Sequence, residues 1–400
     1  MKPNNYSILF ILVLLAGTNN LFAQDSLWVR KYNLAVYNQH DLRNSSVNGL
    51  TINRALHDAY RKGIKSKMGD KVGNITYDIF SFATTYLTLI WSHEIGHSLR
   101  ADQVGGHFNI HNGNLPIPYT TMDLPTNISL VDETLSVTAG FEVNYLTVRN
   151  IQKEFVEQNG IYNEDLSYAF ANRIMYPLYV SVIVPINPSD RDVWINTAGD
   201  PVHTALPMFK NYSNDEVFLT DGTVNPKLVR YYNQAAVLSV VYNLLDPQLY
   251  REVGAAFGTK DKVRRPIFII GNYNSGWTYG TLFNVSPLGY ELYLNNYIHV
   301  AGKKLSASVK YGNPYKNYSL AIGWNNVIES DKMNASIILE GWDQDIFGMG
   351  LATETSFEFH LSQYIGLMFN AGYKTKGYVM GKQIAEGFNG GVGMVFKTNY

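Results

Sequence analysis

Glu291-Leu292-Tyr293-Leu294-Asn295-Asn296-Tyr297-Ile298-His299-Val300 carries a period of two: Leu292, Leu294, Ile298 and Val300 alternate with Glu291, Tyr293, Asn295, Tyr297 and His299. Successive side chains of a strand point to opposite faces, so the stretch reads as a β-strand with one apolar and one polar side. The rhythm returns at Leu305 to Tyr311, Tyr318 to Trp324, Ala335 to Trp342, Met349 to Leu361, Ile365 to Tyr373 and Gly391 to Lys397. Turn-forming residues separate the runs: Gly312-Asn313-Pro314, Glu329-Ser330-Asp331 and Asp343-Gln344-Asp345. That makes seven strands, with an eighth at Trp277 to Val285, and even spacing of this kind predicts an antiparallel meander or barrel over residues 265–400.

Upstream the period changes. Apolar residues recur at helical spacing over Thr51 to Lys67, Tyr77 to Leu99, Leu130 to Val156, Leu166 to Val184 and Tyr231 to Leu245. Segments 105–128 and 186–228, with Pro, Gly, Asn and Asp, read as loops. Residues 24–264 therefore form a mainly helical unit, and the chain belongs to the α+β class. Lys2 followed by the apolar block Ile8 to Leu15, with Leu21-Phe22-Ala23 ahead of Gln24, has the form of a signal peptide over residues 1–23. A retained N-terminal anchor is the alternative. Export to the outer membrane or periplasm follows from the first reading.

Composition narrows the function. With no cysteine, neither a disulfide framework nor a thiolate metal site is possible. A formal net charge of −1 and the lack of a Lys/Arg block argue against a nucleic-acid partner. Aromatic content is high, 29 Tyr beside 19 Phe and 6 Trp, as in membrane β-barrels.

Trp91-Ser92-His93-Glu94-Ile95-Gly96-His97-Ser98-Leu99-Arg100 closes the longest apolar helix and contains His-Glu-x-x-His. Residues four apart share a helix face, so His93 and His97 can reach one ion. Glu94 stands one step round, where it can act as general base on a metal-activated water. Gly96 costs about 1 kcal/mol of helix propensity relative to Ala, a loss that close approach of a backbone or ligand would explain.

These residues resemble the active-site helix of the zincin superfamily of metallopeptidases. The resemblance covers about twenty residues. It implies a Zn2+ ion on His93 and His97, Glu94 as general base, and a protein or peptide substrate. Arg100 and Gln103 stand where the metzincin extension has Gly and its third His, so the likeness is nearer the gluzincin type, in which a Glu on a later helix completes the site. Glu142 fits that place: it lies on the next helix among Ala139, Tyr145 and Leu146, and a metal would satisfy a buried carboxylate. Pairing with Arg100 or Arg149 would satisfy it equally. Glu133, His107 and His111 are the other candidates for third ligand, His203 could donate to an oxyanion, and Asp102 could orient a ligand histidine.

The C-terminal strands are similar to small outer-membrane barrels, over about 120 residues and without a specific motif; Tyr400 supplies a terminal aromatic residue. Two other readings compete with an envelope peptidase. One is a barrel or structural envelope protein with an inert metal site. The other is an intramembrane zinc protease, since Tyr77 to Trp91 is apolar and Asn187-Pro188-Ser189-Asp190 resembles the second motif of the site-2 proteases. That loop lacks their glycine, and Asp78 interrupts the apolar run.

Overall fold

A computed structural model describes residues 29–112, 118–180, 225–258 and 262–399. The signal-peptide segment, Asn187 to Asp190, His203 and Tyr400 lie outside the described residues.

The chain opens with β1 (Val29–Tyr37), α1 (Arg43–Gly63), a 3-10 turn at Lys65–Lys67 and the long α2 (Asp70–Gln103). The hairpin β2 (His107–Asn112) and β3 (Pro118–Asp123) leads into α3 (Leu130–Glu157). Next come β4 (Ile161–Tyr162), α4 (Asn163–Leu178), α5 (Pro226–Leu244), α6 (Leu249–Ala256) and the short β5 (Val263–Arg264) and β6 (Ile270–Gly271). A meander of eight long strands follows: β7 (Gly276–Ser286), β8 (Gly289–Val300), β9 (Lys303–Pro314), β10 (Asn317–Glu329), β11 (Met333–Gln344), β12 (Gly348–His360), β13 (Ile365–Lys374) and β14 (Gly387–Asn399). The α+β class is as expected.

The strand count differs from the expected eight. The sheet has ten strands in the order β1-β14-β13-β12-β11-β10-β9-β8-β7-β6, all pairs antiparallel. One addition is the two-residue β6. The other is β1, recruited from ahead of the helices to pair with the last strand, Val29 opposite Asn399 and Tyr37 opposite Gly391. Segment 105–128, expected as a loop, holds the β2–β3 hairpin instead. Its Gly, Asn and Pro content masked a pairing that needs only local turn closure.

The long strands are patterned inside out. On β10, Asn317, Ser319, Ala321, Gly323 and Asn325 are buried, whereas Tyr318, Leu320, Ile322 and Trp324 are exposed. On β8, Glu291, Tyr293, Asn295, Tyr297 and His299 are buried. The enclosed polar groups bind one another: Glu291 accepts from Asn284 (2.6 Å), from the Tyr293 hydroxyl (2.9 Å) and from Asn317, and Gln344 donates to Asn317 at 2.9 Å. Glu354 is held by Arg43 and Lys382, and Glu358 by Lys31 and Lys397. The opposite face carries Val36, Leu339, Leu351, Phe388 and Val392, all exposed. A sheet folding in water places its apolar face inward; this one places it outward.

Among the described residues the sheet does not close strand to strand. α1 packs on β1, and α3 packs on both α1 and β7. Side chains spaced i, i+4, i+7 on α1 serve the open edge of β1 as a neighbouring strand would. Thr51 Oγ1 accepts from Asn33 N–H (3.0 Å) and donates to Asn33 C=O (2.8 Å). Asn48 does the same for Ala35 (3.0 and 2.8 Å), and Asn44 accepts from Tyr37 N–H (2.8 Å). Arg54 donates to Lys31 C=O. At the other edge, Thr281 of β7 gives its N–H to Asp246 (3.0 Å), and Arg173 donates to its C=O (2.8 Å).

Replacing Asn48 by Leu strands the N–H and C=O of Ala35, at about 1–3 kcal/mol for each unmet group. Denaturant titration of the full chain should show a loss of about 2–6 kcal/mol. A change indistinguishable from an exposed loop substitution would mean that the α1 ladder does not hold the edge.

Candidate metal centre

The site is built where α2 crosses α3. Residues 136, 140 and 144 of α3 are spaced four apart and share one face; that face meets the two histidines. His93 Nδ1 lies 2.8 Å from Asn144 Oδ1, and His97 Nδ1 lies 2.9 Å from the Ser136 carbonyl oxygen. An acceptor at each Nδ1 favours the tautomer that carries the ring proton there. Asn144 is fixed in turn: its Nδ2 donates to Asn172 Oδ1 at 2.8 Å, and Asn172 Nδ2 donates to Tyr168 C=O. The two imidazoles stand edge to face, centroids 4.8 Å apart, with Phe141 against His93 at 5.1 Å. Both histidines are buried.

Two glycines make this crossing possible. A Cβ on Gly96 would lie 2.9 Å from Ala139 C=O and 2.7 Å from Val143 Cγ2. On Gly140 it would fall 2.3 Å from His93 Nε2. The expected close approach at Gly96 is therefore met by the backbone of α3. Beyond the motif α2 stops at Gly105, whose φ of +78° and the Gly106 N–H bond to Ala101 C=O (2.8 Å) complete a left-handed C-terminal cap.

Glu94 is half-buried, and its carboxylate makes no hydrogen bond or ion pair among the described residues; its carbonyl accepts from Ser98 and from Thr120 of β3. Glu142 is not brought to the pair. Two residues past Gly140 it lies about 200° round the helix, away from the histidine-facing side. Its Oε1 accepts from Arg100 (2.8 Å) and from Gly381 N–H (2.7 Å), and Arg100 also donates to Lys382 C=O. Burial pushes the carboxyl up, and Arg100 and Gly381 only partly offset this. The pair thus docks the β13–β14 loop onto the helices.

The remaining candidates are elsewhere. Glu133 sits in the first turn of α3. His107 and His111 lie exposed on β2, His111 near Thr121 Oγ1 (2.9 Å) and stacked on Tyr119. Asp102 accepts from Gln39 and faces His40, not a site histidine. Among the described residues, no three His, Asp or Glu side chains converge as a metal cluster. A cavity of about 530 Å³ opens beyond the end of α2, lined by Gln103, Ile128, Asp132, Lys376 and Ile384. Asn144 and the Ser136 carbonyl are the residues that sequence reading missed; an Asn within the apolar stretch Phe141 to Val148 is their only trace.

No protein-family model matches the sequence, and no curated protein matches it. A solved chain described as "De novo design of transmembrane beta-barrels" is similar over 27% of this chain and 82% of its own, at 10% identity and a TM-score of 0.16. At that score the similarity carries no argument.

Gly140→Ala drives a methyl group into the His93 ring and should destabilise the chain by about 1–3 kcal/mol. Gly63→Ala, where a Cβ meets nothing within 4 Å, is the matched control and should be neutral or slightly stabilising. Equal effects of the two substitutions would contradict the tight crossing.

Proposed function

We propose that the chain is a zinc-dependent hydrolase of the cell envelope, acting on protein or peptide substrates and held in an outer membrane by its sheet. The observation that carries the chemistry is the pairing of His93 and His97 on one helix face, their rings edge to face and each Nδ1 held against an acceptor. Two adjacent imidazoles suit a divalent ion: the ring centroids are 4.8 Å apart, and Gly140 lets the His93 ring lie against α3 where any side chain would collide with it. Zinc, when bound there, supplies Lewis acidity and a water acidic enough to ionise near neutral pH. Glu94 would serve as the general base and acid, accepting a proton from water and passing it to the leaving group, a role for which its uncommitted carboxylate is suited. Asn144 and the Ser136 carbonyl hold the ligand tautomers. Glu142, turned to Arg100, serves as an anchor between the halves in this reading. The choice of peptide bonds rests on the likeness of the motif to the zincins.

The membrane assignment is supported by the inverted sheet. A buried polar face and an exposed apolar one match a wall with lipid outside, and no described helix is long and apolar enough to cross a membrane.

Zinc content and cleavage of an unfolded protein substrate should be compared for the wild type and Glu94→Gln. Zinc retained with a 10²–10⁴-fold fall in rate, roughly the range for a lost general base, is the expected result; zinc retained with undiminished cleavage would remove Glu94 from the chemistry. On fractionation the chain should stay with membranes through high salt and alkaline washing and be released by detergent. Recovery in the soluble fraction would refute the membrane assignment.

A further inference from the structure

The described helices carry apolar surface of their own. Along α2, Val72, Ile75, Ile79, Phe82 and Tyr86 are all exposed, Phe82 to 76%. Their spacing of three and four keeps them on one stripe. The fourteen steps from Val72 to Tyr86 rise about 21 Å, close to the roughly 25 Å height of the apolar band on an outer-membrane barrel. The span contains one charged residue, Asp78, exposed three residues after Ile75 and four before Phe82, and so beside the stripe, about 40° round from Phe82. The other side of α2 is packed on α1 and α3, which is why the helix lacks the overall apolarity of a spanning segment.

The stripe has neighbours and a charged end. Leu34 and Val36 of β1 are exposed on the apolar side of the sheet, and Ile52 and Leu56 of α1, the helix that serves the β1 edge, are exposed as well. At the turn joining α1 to α2, Lys62, Lys65, Lys67 and Lys71 cluster in the sequence at one end of the stripe. Lysines at the end of an apolar surface of membrane height complement the phosphates of lipid headgroups.

We infer that α1 and α2 form part of the membrane wall, with the Val72–Tyr86 stripe lying against lipid acyl chains and the lysine turn at the headgroups. The inference rests on the reading of the sheet's outer face as lipid-facing. Helices would then stand in the gap between β1 and β7, closing the wall where strands do not. His93 follows Tyr86 by seven residues, about 10 Å of helix, so the histidine pair lies just past the end of the stripe remote from the lysines.

The absence of cysteine makes the test clean. Single cysteines at Ile75, Ile79 and Phe82 would be spin-labelled in the full chain reconstituted in vesicles of phosphatidylethanolamine and phosphatidylglycerol. Ile322→Cys and Leu339→Cys report on the sheet's outer face, and Asp331→Cys on a turn. Collision with oxygen, enriched in lipid, is compared with collision with a water-soluble nickel chelate. The expected result is an oxygen preference at 75, 79 and 82 equal to that at 322 and 339 and several-fold above that at 331. Helix sites resembling 331 while 322 and 339 prefer oxygen would overturn the inference and leave the sheet reading intact. Sites 322 and 339 resembling 331 would instead overturn the reading beneath it. Helix labels shielded from both reagents and spin-coupled between copies would assign the stripe to a second copy of the chain, which also overturns it.

Discussion

An open sheet edge presents a row of backbone donors and acceptors that must be met wherever the edge is covered. This chain answers the requirement with side chains. Asn44, Asn48 and Thr51 stand along one face of α1 and return the hydrogen bonds that a tenth long strand would have made to β1. Arg173 and Asp246 do the same at Thr281 of β7. Because both edges end on the helical layer, the positions of α1 and α3 are tied to the sheet, and the crossing of α2 over α3 inherits that register.

Charge reinforces the same junction. Arg30 of β1 reaches Asp58 of α1 and both Glu164 and Asp165 of α4 within 2.6–2.9 Å, and Arg54 shares Asp165. Buried networks of this kind add little relative to an apolar core, yet removing one partner costs about 3–5 kcal/mol because the others are left uncompensated. Their consequence is specificity of placement. Arg100 and Glu142 act alike at the far end, where they fasten the β13–β14 loop beneath the motif helix. The histidine pair is thus set within a framework that has little freedom to spread, and its two ring orientations follow from Asn144 and the Ser136 carbonyl.

Much of this was legible in the residues, and the misses have physical causes. The period of two from Tyr290 to Tyr373 marks the meander because each strand pairs with its sequence neighbour. β1 has the same alternation in Tyr32, Leu34 and Val36, but its partner is at the other end of the chain, and local pattern carries no record of such pairing. The spacing of His93 and His97 declares the motif; the acceptors at their Nδ1 atoms do not show until the helix crossing is known. The apolar neighbours of Glu142 predict its burial but leave open whether it turns to the histidines or to Arg100, and it turns to Arg100. Burial gives depth, not direction, and residues two apart on a helix point to nearly opposite sides.

X-ray absorption at the zinc edge, recorded on the full chain purified from zinc-replete cells, tests the central claim most directly. The account predicts bound zinc whose first shell contains two imidazoles at about 2.0–2.1 Å, with both signals lost together in His93→Ala or His97→Ala. A chain that holds no zinc, or a zinc shell without imidazole, would contradict it.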